Sequence, residues 1–123
     1  FNKQCAFFER HKEFFINPVE EHGSDTAWLA FPILIREDAP FTRRELQIYL
    51  EERNIQTRVV FTGNINRQPM CQDIKKRIDH ENGYPNADAV MERGVLLPLH
   101  HGMTKEMFNR LHLTIEEFIN KHI

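Results

Sequence analysis

"TRVVFTGNINRQP", Thr57 to Pro69, changes character at Phe61. Before that point branched and aromatic side chains follow one another, as they do in a strand. After it come Gly63, two asparagines, an arginine, a glutamine and a proline, which is the composition of a loop. A strand over 55–61 therefore feeds a long polar loop over 62–84, with a short helix expected at 71–78.

A strand needs neighbours, and the flanking sequence supplies them. "TAWLAFPILI" (26–35) is an apolar, aromatic and branched run that reads as a buried strand, with Pro32 placing it at an edge or a bulge. "VLLPL" (95–99) reads as a third strand. Helices fill the intervals. Residues 2–16 carry Cys5, Phe8 and Phe15 at helical intervals. Thr42 and Glu45 form the T-x-x-E signature that opens a helix over 43–53, with Leu46, Tyr49 and Leu50 as its apolar stripe. "PNADAVMERG" reads as a helix capped by Asn86 and stopped by Gly94. Thr104 caps a final helix whose buried face is Met107, Phe108, Leu111, Ile115, Phe118 and Ile119. The order α, β, α, β, α, β, α predicts an α/β (α+β) domain. Its sheet is small, three-stranded and mainly antiparallel, with amphipathic helices on one face. The phenylalanines fit core stripes, with Phe14 or Phe41 left over for a partner surface.

A length of 123 residues suits a single domain with one modest core, residues 1–123. Hydrophobic residues at 41% and charged residues at 28% are ordinary globular values, so disorder is not expected. The net charge of -2, without a basic run, argues against a nucleic-acid binder. No apolar run reaches the length of a membrane span, and no membrane partner is expected. Cys5 and Cys71 lie far apart without C-x-x-C spacing, which fits two free thiols in a cytoplasmic protein. The chain opens at Phe1 directly in helix-like sequence, as a piece of a longer protein would.

The chemistry-bearing residues gather after Phe61. Asparagine and glutamine offer donors and acceptors, and arginine offers a planar fork suited to carboxylate or phosphate. Gly63 permits a left-handed backbone and the close approach of a ligand. With Arg58 just upstream, Asn64, Arg67 and Gln68 suit a polar, phosphorylated ligand such as a nucleotide sugar. The other reading is an ordinary turn in which Asn64 and Asn66 cap their own backbone, and composition alone leaves both open. His100 and His101 are adjacent, so in extended chain they point to opposite sides and do not share a metal. They read as one exposed histidine and one hydrogen-bonded at the strand end. His11, His22, His80, His112 and His122 are scattered and read as surface or helix-face residues. There is no P-loop, no G-x-G-x-x-G, no nucleophile elbow and no paired-carboxylate motif, so no catalytic residue is assigned. Lys75, Lys76, Lys105 and Lys121 read as solvated helix residues.

Taken in order, "TAWLAFPILI", "TRRELQIYLEERNI", "TRVVFTGNINRQP", "NADAVMERGVLLPLH" and "GMTKEMFNRL" resemble the C-terminal part of the DegT–StrS family. These are nucleotide-sugar aminotransferases and dehydratases, pyridoxal-phosphate (PLP)-dependent proteins of fold type I. The resemblance covers nearly the whole chain. Arg58, Phe61, Gly63-Asn64 and Arg67-Gln68-Pro69 look like the 4-keto-6-deoxyhexose 3-dehydratase branch, whereas "LPLHHGMT" looks closer to the aminotransferases. The resemblance implies the small, substrate-side domain of a homodimeric parent. It places the PLP site in a large domain absent from this chain, so no cofactor is expected on this piece alone. It also implies a nucleotide-linked sugar as ligand, with Arg58 and Arg67 on phosphate or sugar oxygens, Asn64 and Gln68 as hydrogen-bond partners, and His100 in the same cleft. Some dehydratases of the family carry an iron–sulfur cluster, but Cys5 and Cys71 do not match a four-cysteine ligand set, and no metal site follows. A folded interaction module without a ligand of its own is the reading from a different class.

Overall fold

Residues 1–75 and 83–123 are described by the structure, a computed structural model. Two strands carry the sheet: β2 (Ala30–Ile35) and β4 (Gly94–Pro98) pair antiparallel from Ala30–Pro98 to Leu34–Gly94. The short β1 (Phe15–Ile16) lies beside β2, and the equally short β3 (Arg58–Val59) lies beside β4. The order is β1-β2-β4-β3, and every pair is antiparallel.

The fourth strand corrects the sequence reading. α1 spans only Asn2–Glu9, not 2–16, and the chain turns before Phe15 pairs with Ile35. The run Phe14-Phe15-Ile16 is aromatic and branched, and Asn17-Pro18 disfavours helix immediately after it. β2 starts four residues later than expected, because Trp28 leaves the ladder and stacks on Phe1 with ring centroids 4.5 Å apart. β3 is also shorter than 55–61. The Thr57 amide and hydroxyl are both taken by Glu51 of α2 (Arg43–Glu51), and Phe61 turns into the left-handed region at φ 47°. Pro32 sits within β2, opposite Leu96 on one flank. The other flank has a strand beside it only at Leu34 and Ile35, so a residue without an N–H is tolerated there.

α2 begins with the reciprocal cap predicted for it: the Thr42 side chain accepts from the Glu45 amide, and Glu45 accepts from the Thr42 amide at 2.7 Å. The bonds that the Thr42 amide and hydroxyl donate to the Glu45 carboxylate hold it below its ordinary pKa. α3 (Pro85–Arg93) is not capped by Asn86. Tyr84 occupies the cap position and Pro85 the first helical one, where its missing N–H costs nothing. Gly94 ends the helix and opens β4 without a loop. Of the helix expected at 71–78, only Cys71 among the described residues is helical, as the end of a 3-10 turn over Pro69–Cys71, and 72–74 form turn and bend; residues 76–78, with Lys76, and His80 lie outside the described residues.

One face of the sheet carries Phe31, Ile33, Ile35, Val95 and Leu97, all buried. α1, α2 and α4 (Lys105–Asn120) bring Phe8, Leu46, Leu50, Leu111, Ile115 and Phe118 into the same core. Phe8 stacks on Phe31 and meets Phe15 edge-on. Phe41 is no leftover: it is buried and edge-on to Phe118 at 4.9 Å, while Phe14 packs against it half-buried. Thr104 caps α4 by accepting from the Met107 amide at 3.3 Å. Met107 itself points outward, and the buried stripe includes Thr114, whose hydroxyl donates to the Arg110 carbonyl at 2.7 Å. The opposite face of the sheet, with Ala30, Pro32, Leu34, Leu96 and Pro98, is half-exposed.

Candidate functional site

β3 and β4 run antiparallel, so the chain leaves Val59 at the Gly94 end of β4, where α3 arrives. This brings the polar loop against α3. Gly63 lies on Met91 at φ 62°; a side chain there would meet the Met91 Cβ and, at 2.5 Å, its Cα. A 3-10 turn over Ile65–Arg67 follows, with Asn64 as its cap: the Asn64 oxygen accepts from the Asn66 amide at 3.0 Å. The self-capping turn weighed from sequence is thus the geometry Asn64 adopts.

The rest of the loop converges on a residue that sequence reading passed over, Asp88 of α3. Arg67 donates to it as a fork, Nε to Oδ1 at 3.0 Å and Nη2 to Oδ2 at 2.8 Å. Asn64, 4% exposed, donates to Oδ1 at 2.8 Å. The Arg67 and Asn64 hydrogen bonds hold the Asp88 carboxyl below its ordinary value, and the same pairing raises Arg67. Gln68 donates to the Thr62 carbonyl at 3.0 Å and braces the loop. Arg58 differs from these three: it is exposed on the β3 edge, and its side chain makes no hydrogen bond or ion pair to any described residue. No separation in the sequence pointed to Asp88, because it lies 21 residues from Arg67 and only the turn of the loop onto α3 joins them.

His100 does not join this group. It follows β4 at the Pro98 end, about six residues of extended chain from Gly94, or ~20 Å. Its Nδ1 accepts from the Gly102 amide at 3.1 Å. With His101, Phe1, Trp28, Met103 and Phe108 it lines a groove of about 530 Å³. Three other histidines are half-buried. His112 is half-buried, stacked on Phe7 at 4.0 Å, and donates from Nε2 to the Gln4 side-chain oxygen at 2.7 Å. Burial pushes its pKa down to about 4. His122 packs on Phe118 and hydrogen-bonds the Phe118 carbonyl at 2.8 Å, and His11 lies half-buried beside Phe7.

Among the described residues, no cluster of three His, Cys, Asp or Glu side chains could hold a metal. Cys5 and Cys71 are free thiols, and burial pushes the Cys5 thiol up. The described lysines, Lys3, Lys12, Lys75, Lys105 and Lys121, are all exposed. None fits the enclosed amine that a covalently held aldehyde cofactor requires. No helix of the described residues is long and apolar enough to cross a membrane.

The family model of the DegT/DnrJ/EryC1/StrS aminotransferases matches residues 5–116. This chain belongs to that family. It is 38% identical over 104 residues to a dTDP-4-dehydro-2,6-dideoxy-D-glucose 3-dehydratase of Saccharopolyspora spinosa, covering 85% of this chain and 22% of the relative. It is 34% identical over 106 residues to the lipopolysaccharide biosynthesis protein RfbH of Salmonella typhimurium, covering 86% of this chain and 24% of that protein. Among solved structures it resembles an E. coli GDP-4-keto-6-deoxy-D-mannose-3-dehydratase with bound hydrated PLP. The TM-score is 0.73 at 19% identity, over 90% of this chain and 28% of the other. The chain thus spans about a quarter of the length of the curated relatives it matches. The family and the small antiparallel sheet agree with what the sequence motifs implied.

Proposed function

We propose that this chain is the C-terminal, substrate-side domain of a PLP-dependent nucleotide-sugar enzyme, a 4-keto-6-deoxyhexose 3-dehydratase. The observation that carries this reading is the 38% identity to a dTDP-sugar 3-dehydratase over most of the chain. The motif from Arg58 to Pro69 supports it. In the parent, a cytoplasmic homodimer, PLP held by the large domain supplies the electron sink for labilising a sugar bond. This chain supplies Arg58 and the Asn64–Gln68 loop on the side of a nucleotide-linked sugar, with no nucleic acid and no membrane involved. His100, at the other end of β4, is not part of that group.

A sugar aminotransferase is the second reading. The family's own description and the "LPLHHGMT" stretch favour it. The full-length protein decides between them when it is supplied with a nucleotide-linked 4-keto-6-deoxyhexose and glutamate. Loss of the 3-hydroxyl without transfer of nitrogen to the sugar is the expected result. An amino sugar as product establishes the aminotransferase. An unchanged sugar, with no PLP absorbance in the purified protein, establishes a binding module.

A further inference from the structure

Two of the loop's polar side chains end on one carboxylate. Asp88 Oδ1 accepts from both Asn64 and Arg67 Nε, and Oδ2 accepts from Arg67 Nη2. Gly63 seats against Met91, three residues further along α3 and so on the same side of the helix. Backbone and side chains of the loop therefore grip one strip of α3. Immediately before this grip, Phe61 stands 86% exposed with its backbone at φ 47°. That conformation is rare for a bulky side chain, and a ring in solvent has no packing of its own to hold it. The Phe61 amide donates to the Val59 carbonyl at 2.9 Å and the Gly63 amide to the Val60 carbonyl at 3.1 Å, and this local turn is held between the β3 ladder on one side and the Asp88 contacts on the other. The edge of Arg67 best shaped for an oxyanion, Nε with Nη2, is already filled by Asp88. Arg58 has no such partner among the described residues.

We propose that Asp88 is the positioning residue of the 61–68 loop, that Arg67 acts through it, and that Arg58 is the cation left to meet the anionic part of the ligand. This rests on the reading of the parent as a nucleotide-sugar enzyme and divides the labour inside its substrate-side loop. Asp88 touches no ligand; it sets where the loop backbone and Phe61 stand. A loop displaced by about 1 Å weakens binding or reaction by up to roughly a hundredfold, even though no contacting group has been deleted.

The test uses the full-length protein with Asp88→Ala, the milder Asp88→Asn, Arg67→Ala, Arg58→Ala and the Asp88→Ala/Arg67→Ala double variant. Two readouts are taken. Amide exchange at Gly63, Asn66 and Gln68 reports the clasp without reference to catalysis, and it should accelerate in the Asp88 and Arg67 variants but not in Arg58→Ala. Steady-state kinetics with a nucleotide-linked 4-keto-6-deoxyhexose should show KM raised about tenfold to a hundredfold, with kcat nearly unchanged, in Asp88→Ala and in Arg67→Ala alike. The double variant should be no worse than either single one, because both changes open the same clasp. Arg58→Ala should raise KM independently and add to the others. An Arg67→Ala loss far exceeding that of Asp88→Ala, and adding to it, overturns the proposal by making Arg67 the direct ligand contact. Unchanged exchange in both Asp88 variants overturns it as well. A parent that turns over no nucleotide sugar counts against the functional reading, while the exchange data still decide the role of Asp88.

Discussion

The final helix and the 61–68 loop are held in opposite ways. α4 turns Leu111, Ile115, Phe118 and Ile119 into a core shared with α1, α2 and one face of the sheet, and these side chains are almost wholly removed from water. The loop leaves Phe61 and Ile65 in solvent and is fastened by a glycine seat and one carboxylate. Apolar burial is non-directional and contributes in proportion to area. A forked ion pair on the surface contributes little to stability but fixes orientation. The helix is therefore where the domain keeps its stability, and the loop is where it keeps its shape. A change in one should be read by unfolding, and a change in the other by geometry or turnover.

The largest effect should come from the helix. Leu111 is 2% exposed, so Leu111→Ala should cost about 2–5 kcal/mol in a urea unfolding experiment. A loss below about 1 kcal/mol would mean that the inward face of α4 has been assigned wrongly, and the contrast with the loop would go with it.

The loop's one packing contact gives the next effect. Gly63→Ala adds a Cβ against the Met91 backbone at a left-handed position, and should cost about 1–3 kcal/mol. Gly23 offers the control. It is also left-handed, at φ 82°, but nothing lies within 4 Å of a Cβ there. Gly23→Ala should carry the backbone cost alone, and the difference between the two variants isolates the seat on α3. Equal costs would show that the loop rides free of the helix.

The same contrast decides what could be read from sequence. Periodicity and capping signals are local. They gave α2 with its Thr42–Glu45 cap, the Thr104 cap and the stripe of α4 from Leu111 onward, and the order of elements carried the family resemblance. What failed was decided by contacts distant along the chain. Phe15 belongs to a strand because Ile35 is there to pair with it, and no helical spacing discloses that. The loop's composition announced a polar site, but the partner that orders it, Asp88, arrives from a helix whose own pattern gives no hint of it. The family resemblance put His100 in the cleft of the loop; the antiparallel register puts the two at opposite ends of β4. His112, read as a surface or helix-face residue, does lie on α4, but its burial rests on Phe7 and Gln4 of α1, which no local pattern discloses.

His112 also supplies the smallest of the expected effects, one the loop cannot mimic. Its pKa falls from 6.5 to about 4 on burial in the fold. Between those values the unfolded chain binds a proton that the folded chain does not, so stability rises with pH across this window. The contribution is fully present above about 6.5, declines as the pH falls, and is spent once the pH passes below about 4. Water still reaches part of the ring, so the loss should be discounted to roughly 1 kcal/mol. Asp88 and Glu45, whose pKa values are lowered, lose their own contributions at more acid pH, since a depressed carboxylate stabilises only while ionised. The two sources separate in His112→Phe, which keeps a ring against Phe7 and removes the titration. Losing the bond to Gln4 lowers its stability by an amount that does not vary with pH. The difference between native and variant unfolding free energies should therefore slope between pH 6.5 and about 4. A flat difference across that window would mean that His112 titrates as freely folded as unfolded, and that the α1–α4 seam is wetter than its stacked rings indicate.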